Sequence, residues 1–155
     1  SVRAESAYIG WMPTANPFGP LEEPRFIHYL MKNWFGHETP GVKTPAYVRD
    51  NIHVSLLANV YAHAATRLNS AGCGSAMTRI CPSGYVETQG AFAQRFAREM
   101  APRLGIACPV ELARQTEFSE PRVRINTDVP DIAALGWNES EAWDQIAAYY
   151  RTMYA

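Results

Sequence analysis

Cysteine is scarce in this sequence, and its few copies are badly placed for chemistry. The three are Cys73, Cys81 and Cys108. An odd count without a C-x-x-C pair argues against a disulfide framework and against a zinc site, and points to free thiols in a reducing cytoplasm. The four histidines, His28, His37, His53 and His63, are scattered, and none pairs with a second metal ligand at a helical spacing. Charge is also sparse: 19% of residues are charged and the net charge is −1. No global basic field therefore exists to hold nucleic acid, and the aromatics are not interleaved with basic residues as a base-stacking platform requires. No apolar run reaches the length of a membrane span. Residues Ser1 to Ser6 lack the basic-then-apolar order of a secretory signal.

Several catalytic signatures are missing as well. Gly72-Cys73-Gly74 opens like a G-x-G-x-x-G phosphate loop, but Met77 takes the place of its third glycine. No Walker loop, G-x-S-x-G elbow or H-E-x-x-H run occurs, and no Tyr-x-x-x-Lys pair. What is present is an ordinary globular composition. The chain has 155 residues, 47% of them apolar, which is enough for one modest core.

The apolar spacing places the elements. Tyr8 to Met12 is an apolar run that reads as a buried strand. Thr14 to Glu23 is rich in Pro and Gly and predicts a loop, and Pro24 suits a helix start. Ile27, Leu30, Met31 and Trp34 then form one helical stripe, followed by loop from Gly36 to Pro45. Tyr47-Val48 predicts a short strand. Val54, Leu57, Ala58, Tyr61, Ala62, Ala65 and Leu68 mark the apolar side of a second helix. Asn69 to Ser75 predicts a turn and Met77 to Cys81 a strand. Phe92, Phe96 and Met100 predict a helix over Thr88 to Arg103, stopped by Gly105. Pro109 to Ala113 and the alternating Arg122-Val123-Arg124-Ile125 predict two further strands, the second half-buried with both arginines on one face. Asp131 to Leu135 suggests a short helix. Asn138 with Glu141 fits a capping box before a last helix whose apolar side is Ala142, Ile146, Tyr149, Tyr150 and Met153. Helices alternate with strands too few for a complete doubly wound sheet, so the class is α/β or α+β.

Arg49 stands out among the candidate functional residues. It follows a short apolar element and precedes a helix, where a guanidinium can sit at the mouth of a cleft. A guanidinium holds two oxygens at once and suits a pyrophosphate. The competing reading is an ion pair with Asp50 or another carboxylate, and spacing alone favours it. Arg122 and Arg124 pose the same choice, with Glu117 and Glu120 close enough to neutralise them. Asn16, between a strand and a Pro-Gly loop, is either a turn cap or a ligand contact at a strand's carboxyl end. His53, at a strand-to-helix junction, fits a structural hydrogen bond better than catalysis. Ser83-Gly84-Tyr85, Trp11 and Trp137 read as turn and core residues.

Two segments carry a family resemblance. Val48-Arg49-Asp50-Asn51-Ile52-His53-Val54 is similar to the Arg-Asp-Tyr/Phe-Ile-His-Val motif of extended short-chain dehydrogenases/reductases of the nucleotide-sugar epimerase/dehydratase group. Asn16, Pro17, Gly19 and Pro20 match that group's Arg-x-Phe-Asn-Pro-x-Gly-Pro pattern, with Ala15 in place of the usual aromatic. Asp128 with Leu135-Gly136-Trp137 resembles its late Asp…Leu-Gly-Trp segment. The resemblance covers nearly the whole chain. It implies a C-terminal substrate-binding domain over residues 1–155, with one or more strands that belong to the sheet of an absent N-terminal Rossmann half.

By that resemblance Arg49 binds substrate phosphate, with Asn16, Asn51, Arg122 and Arg25 as further substrate contacts, while Thr14 and Ala15 line the nicotinamide edge. The intact parent would use NAD or NADP on a nucleotide sugar. This chain, without the cofactor fingerprint, would bind no cofactor and be inactive alone, and would associate with itself or with the missing half. Two alternatives stay open: part of an extended short-chain reductase acting on a non-nucleotide carbonyl or alcohol, and a non-catalytic binding module.

Overall fold

The computed structural model describes residues 9–11, 15–70 and 78–154. Its centre is β4 (Val48–His53), which is buried along almost its full length. One edge of β4 takes the antiparallel β6 (Tyr85–Thr88), with Arg49 opposite Glu87 and Asn51 opposite Tyr85. The other edge takes two parallel partners in sequence along the strand. These are β8 (Val123–Arg124) beside Val48 and Arg49, and β2 (Ala15–Phe18) beside Asp50 to His53. Two small parallel pairs stand apart: β1 (Ile9–Trp11) with β5 (Thr78–Ile80), and β3 (Gly41–Val42) with β7 (Glu111–Leu112).

Strand β2 departs from the sequence expectation of loop over Thr14 to Glu23. Pro17 argued for loop because it cannot donate to a ladder. Here β2 is the edge of its sheet, where proline is tolerated. Strand β4 is longer than Tyr47-Val48 suggested. Its polar residues (Arg49, Asp50, Asn51, His53) hide a strand that is buried by hydrogen bonding as much as by apolar contact.

Asp50 is fully buried, and its carboxylate ties three segments together. Oδ1 accepts the Gly84 N–H (2.8 Å) and Oδ2 accepts the Asn126 N–H (3.1 Å). Asn126 in turn donates from Nδ2 to the Pro82 carbonyl (2.9 Å). Gly84 crosses the β4 backbone so closely that a Cβ there would stand 2.8 Å from Ile52 Cα.

The main core lies on one face of this sheet. α1 (Phe26–Phe35) buries Ile27, Leu30, Met31 and Trp34, the four positions its periodicity marks. α3 (Gln89–Leu104) starts at Thr88, whose side chain accepts the Ala91 N–H, and stops at Gly105 in the left-handed region (φ 69°). It buries Phe92, Ala93, Phe96 and Met100. α5 (Glu139–Tyr154) closes the cluster with Trp143, Ile146, Ala147 and Tyr150. Met153, expected on its apolar side, is exposed instead, because the buried face runs through Trp143 and Ala147. Burying each of these large side chains contributes about 1.5–3 kcal/mol. Asn138 accepts the Glu141 N–H (3.2 Å) and caps α5 as the sequence suggests. Asp131 likewise caps the short α4 (Ile132–Leu135).

α2 (Val54–Ser70) forms where its pattern predicts, but its stripe is not buried. Ala58, Ala62 and Ala65 are exposed and Leu57 and Tyr61 half-buried, and the second, smaller core takes Leu56 with Ala15 and Ile52. β8 is also exposed rather than half-buried, since Val123 faces solvent (54% exposed). Among the described residues no helix is long and apolar enough to cross a membrane.

Candidate functional site

Residues two apart on a strand share a face, so Arg49 and Asn51 project to the same side of β4. Asn51 lies opposite Asn16 in the β2–β4 register, which brings Asn16 to that side too. There they meet a cavity of about 200 Å³. β2 and β4 supply Asn16, Pro17, Phe18, Arg49 and Asn51 to its lining. The turn after β2 and the start of α1 supply Gly19, Glu22, Glu23, Arg25, Phe26 and Ile27, and Gln89, Phe92 and Tyr150 complete it. Gly19 shapes the rim. Its φ of 138° and the approach of a Cβ to Val54 Cγ2 (2.7 Å) exclude any side chain there.

Arg49 is buried (9% exposed) and is held by several partners. Nη1 donates to the carbonyls of Val48 (2.9 Å), Pro121 (3.3 Å) and Arg122 (3.3 Å). Nη2 donates to Glu120 Oε2 (3.1 Å). The guanidinium also lies 4.4 Å from the centre of the Tyr47 ring. Nε–H and one Nη2–H have no partner among the described residues, so one edge of the fork stays available. The ion pair raised as the competing reading exists, with Glu120 and not with Asp50. The Glu120 N–H donates to the Tyr47 hydroxyl (3.1 Å), which holds that phenol's pKa below its usual value.

Asn16 donates from Nδ2 to the Asp50 carbonyl (3.3 Å). Arg25 is exposed and paired with Glu23 (2.9 Å) at the cavity's outer edge. With Glu22 and Glu23 against Arg25 and Arg49, the lining is formally neutral. Asn51 is 6% exposed, and its Nδ2 has no hydrogen-bond partner.

The remaining expected residues lie elsewhere. The Arg122 guanidinium stacks over Phe118, 3.9 Å from its ring centre, away from the cavity, and only its carbonyl serves Arg49. Ala15 is buried (2% exposed) against Ile52 and Leu56, and Thr14 lies outside the described residues. Gln89 and the two glutamates of the lining were not picked out from the sequence. Thr88 as an N-cap was the signal that places Gln89 on the first turn of α3, where it can face β4.

His53 has the structural role its junction position suggests. Its Nδ1 accepts the Ser55 N–H (3.0 Å) at the start of α2 and contacts Ser55 Oγ (2.7 Å), which itself accepts Trp137 Nε1–H (2.8 Å). That chain of donors assigns the ring proton to Nε2, which abuts Gly19 and has no partner of its own. Burial pushes the His53 pKa down to about 4. A second groove, beside α4, is lined by Leu56, Ser83, Tyr85, Ile132 and Trp137, with Glu139 bonded to the Tyr85 hydroxyl. Burial there raises the Tyr85 pKa far above its ordinary value, so this phenol stays protonated.

No protein-family model and no curated protein matches the sequence. Solved structures do match. The UDP-N-acetylglucosamine 4-epimerase of Methanobrevibacter ruminantium M1, in complex with UDP-N-acetylmuramic acid, aligns over 95% of this chain and 46% of its own, with a TM-score of 0.62 and 13% identity. The UDP-glucose-4-epimerase of Stenotrophomonas maltophila, with bound NAD and formylated UDP-arabinopyranose, covers 95% and 48%, with a TM-score of 0.60 and 15% identity. The UDP-glucuronic acid 4-epimerase of Bacillus cereus, in complex with NAD, covers 96% and 45%, with a TM-score of 0.60 and 11% identity. The chain thus has the α/β fold of part of these UDP-sugar epimerases, and it spans about half the length of the structures it matches.

Proposed function

We propose that this chain is the C-terminal substrate-binding portion of an extended short-chain dehydrogenase/reductase acting as a nucleotide-sugar epimerase or dehydratase. The observation that carries this reading is the convergence of Asn16, Arg49, Asn51 and Arg25 on one cavity. The sequence resemblance marks these four as substrate contacts, and the fold likeness to UDP-sugar epimerases supports the same assignment. The free edge of Arg49 holds the substrate diphosphate. Phe18 and Phe92 give an apolar floor, and binding energy at the diphosphate orients the sugar for chemistry performed elsewhere in the protein.

The described residues do not fit NAD or NADP. The sequence has no glycine fingerprint and no Tyr-x-x-x-Lys pair, and Ala15 is sealed in a core. The cofactor, which supplies hydride abstraction and return, belongs to a dinucleotide-binding half, and this chain alone is inactive. That half also accounts for two surfaces. β1 and β5 form a two-stranded parallel sheet, an arrangement otherwise found extended and covered on both faces. Much of the apolar stripe of α2 is also exposed, at Ala58, Ala62 and Ala65.

Calorimetric titration with UDP, GDP and dTDP tests the assignment. At least one binds, and Arg49→Gln weakens it about tenfold, as loss of a charge-assisted contact should. Absence of binding by all three overturns the reading. The Arg49–Glu120 pair favours one rival, a reductase of non-nucleotide carbonyls in which Arg49 is scaffold. That rival gains if small carbonyl compounds bind this cavity and no nucleoside diphosphate competes with them.

A further inference from the structure

The groove beside α4 shares no lining residue with the cavity at Arg49, and diphosphate binding gives it no task. It encloses about 240 Å³. Leu56, Pro130 and Trp137 form apolar walls, with Val129 and Ile132, two large apolar side chains that stay exposed. The Trp137 ring is fixed in place, because its Nε1–H donates to Ser55 Oγ (2.8 Å). Tyr85 donates its hydroxyl to Glu139 Oε1 and keeps its proton, so the negative charge of that pair rests on Glu139. Among the described residues no cation pairs with this carboxylate. Arg95, which lies over the Tyr85 ring, donates from Nε and Nη2 to Glu87 instead. Ser83 adds an independent observation. It is only 5% exposed, yet its hydroxyl has no hydrogen-bond partner among the described residues. The described side-chain atoms that are both unpartnered and fully sealed are Asn51 Nδ2 and His53 Nε2, so Ser83 Oγ retains surface of its own, and the cavity its residue lines is this groove.

A nearly buried hydroxyl without a partner is costly, and a carboxylate without a counter-charge in an apolar groove favours a cation. We propose that this groove binds a small primary amine, whose ammonium donates to Glu139 Oε2 and Ser83 Oγ and whose compact apolar body lies against Trp137 and Leu56. An ammonium carries three donors and no acceptor, which suits two oxygens and excludes a carboxylate or phosphate in its place. The indole face of Trp137 adds a further attraction for a cation. The occupant is a free amine and not a lysine of another protein, because a slender methylene stem would leave much of the Trp137 and Leu56 wall uncovered.

Titration of the full chain with phenethylamine tests this, read by calorimetry and by the Trp137 indole N–H in a ¹⁵N spectrum. The amine binds and the indole signal shifts. Phenethyl alcohol, which lacks the charge, binds about fivefold more weakly; the effect is modest because Glu139 is exposed. Glu139→Gln, which keeps an acceptor for Tyr85, weakens the amine by a similar factor, and so does Ser83→Ala. Hydrocinnamate, an anion of similar shape, does not bind. Nα-acetyl-lysine amide binds more weakly than phenethylamine, and UDP does not displace either. An unmoved indole signal, equal affinity for amine and alcohol, or unchanged affinity in Glu139→Gln or Ser83→Ala each overturns the proposal. So does tighter binding of the lysine amide or displacement by UDP. If a variant fails to fold, the comparison of amine with alcohol on the wild type decides. The nucleotide-sugar reading stands or falls separately, on UDP, GDP and dTDP.

Discussion

Glu120 competes with any anion for Arg49, and removing its charge should tighten diphosphate binding. Glu120 Oε2 sits 3.1 Å from Arg49 Nη2 and 3.6 Å from Arg124 Nη1. A phosphoryl oxygen bonded to the free edge of the same guanidinium would lie roughly 5 Å from that carboxylate, given two hydrogen-bond lengths around one fork. Two unit charges at that distance repel by about 0.8 kcal/mol in water and about 3 kcal/mol at the effective dielectric of a protein surface. The Glu120 side chain is half-exposed (51%), so solvent screening holds the value near the lower end, at about 1 kcal/mol. Glu120→Gln keeps the backbone N–H that serves Tyr47 and keeps a neutral acceptor for Arg49. The expected result is about fivefold tighter binding of UDP by calorimetry in dilute buffer, with the gain shrinking as salt is added. Weaker or unchanged binding at low ionic strength would refute the argument. It would mean either that the anion does not approach Arg49 or that the ion pair is needed to orient it.

Two further outcomes follow from the packing. His53 is neutral when folded, with a pKa of about 4 against an ordinary 6.5, so the unfolded chain takes up a proton first as the pH falls. Stability from this group is complete above pH 6.5 and declines between 6.5 and 4, by about 3 kcal/mol in all. Urea unfolding at pH 7 and pH 5 should show the decline and His53→Asn should flatten it; equal stability of the wild type at the two values would count against the assignment. Gly84→Ala forces a methyl group against the β4 backbone and should cost roughly 2–3 kcal/mol, lowering the melting temperature by about 5–10 °C. An unchanged melting curve would show that the crossing is looser than described.

Much of the fold was legible because helices announce themselves by period. The stripes of α1 and α3 are buried at the positions their spacing marks, and Thr88, Gly105, Asp131 and Asn138 act as helix termini. Strand β2 was missed because proline at a sheet edge looks the same in sequence as proline in a loop. Strand β4 was cut short because its interior is polar, and only the tertiary hydrogen bonds of Asp50 explain how such residues come to be buried. The α2 stripe misled in the opposite direction. Its period is genuine, yet Ala58, Ala62 and Ala65 stay exposed, and Leu57 packs only half-buried against the smaller core.

At the cavity, Arg49, Asn16 and Asn51 could be named from short motifs, and Arg25 from its place at the loop-to-helix entry. Their mutual placement depends on the β2–β4 register, which no local pattern fixes. Arg122 shows the limit of proximity in sequence. It neighbours Arg49 through its backbone, while its side chain turns away onto Phe118.

Because Nη1 of Arg49 clasps the carbonyls of Pro121 and Arg122, this one side chain works at two borders at once. It moors the crossing of the 111–125 segment over β4 on its inner edge while offering its outer edge to the cavity. Lysine would retain the charge but forfeit the inner mooring, because an ammonium has no second edge to give. On the proposed reading, position 49 is therefore locked to arginine twice over. A screen scoring survival of the fold and one scoring ligand capture would return the same answer there, for unrelated reasons.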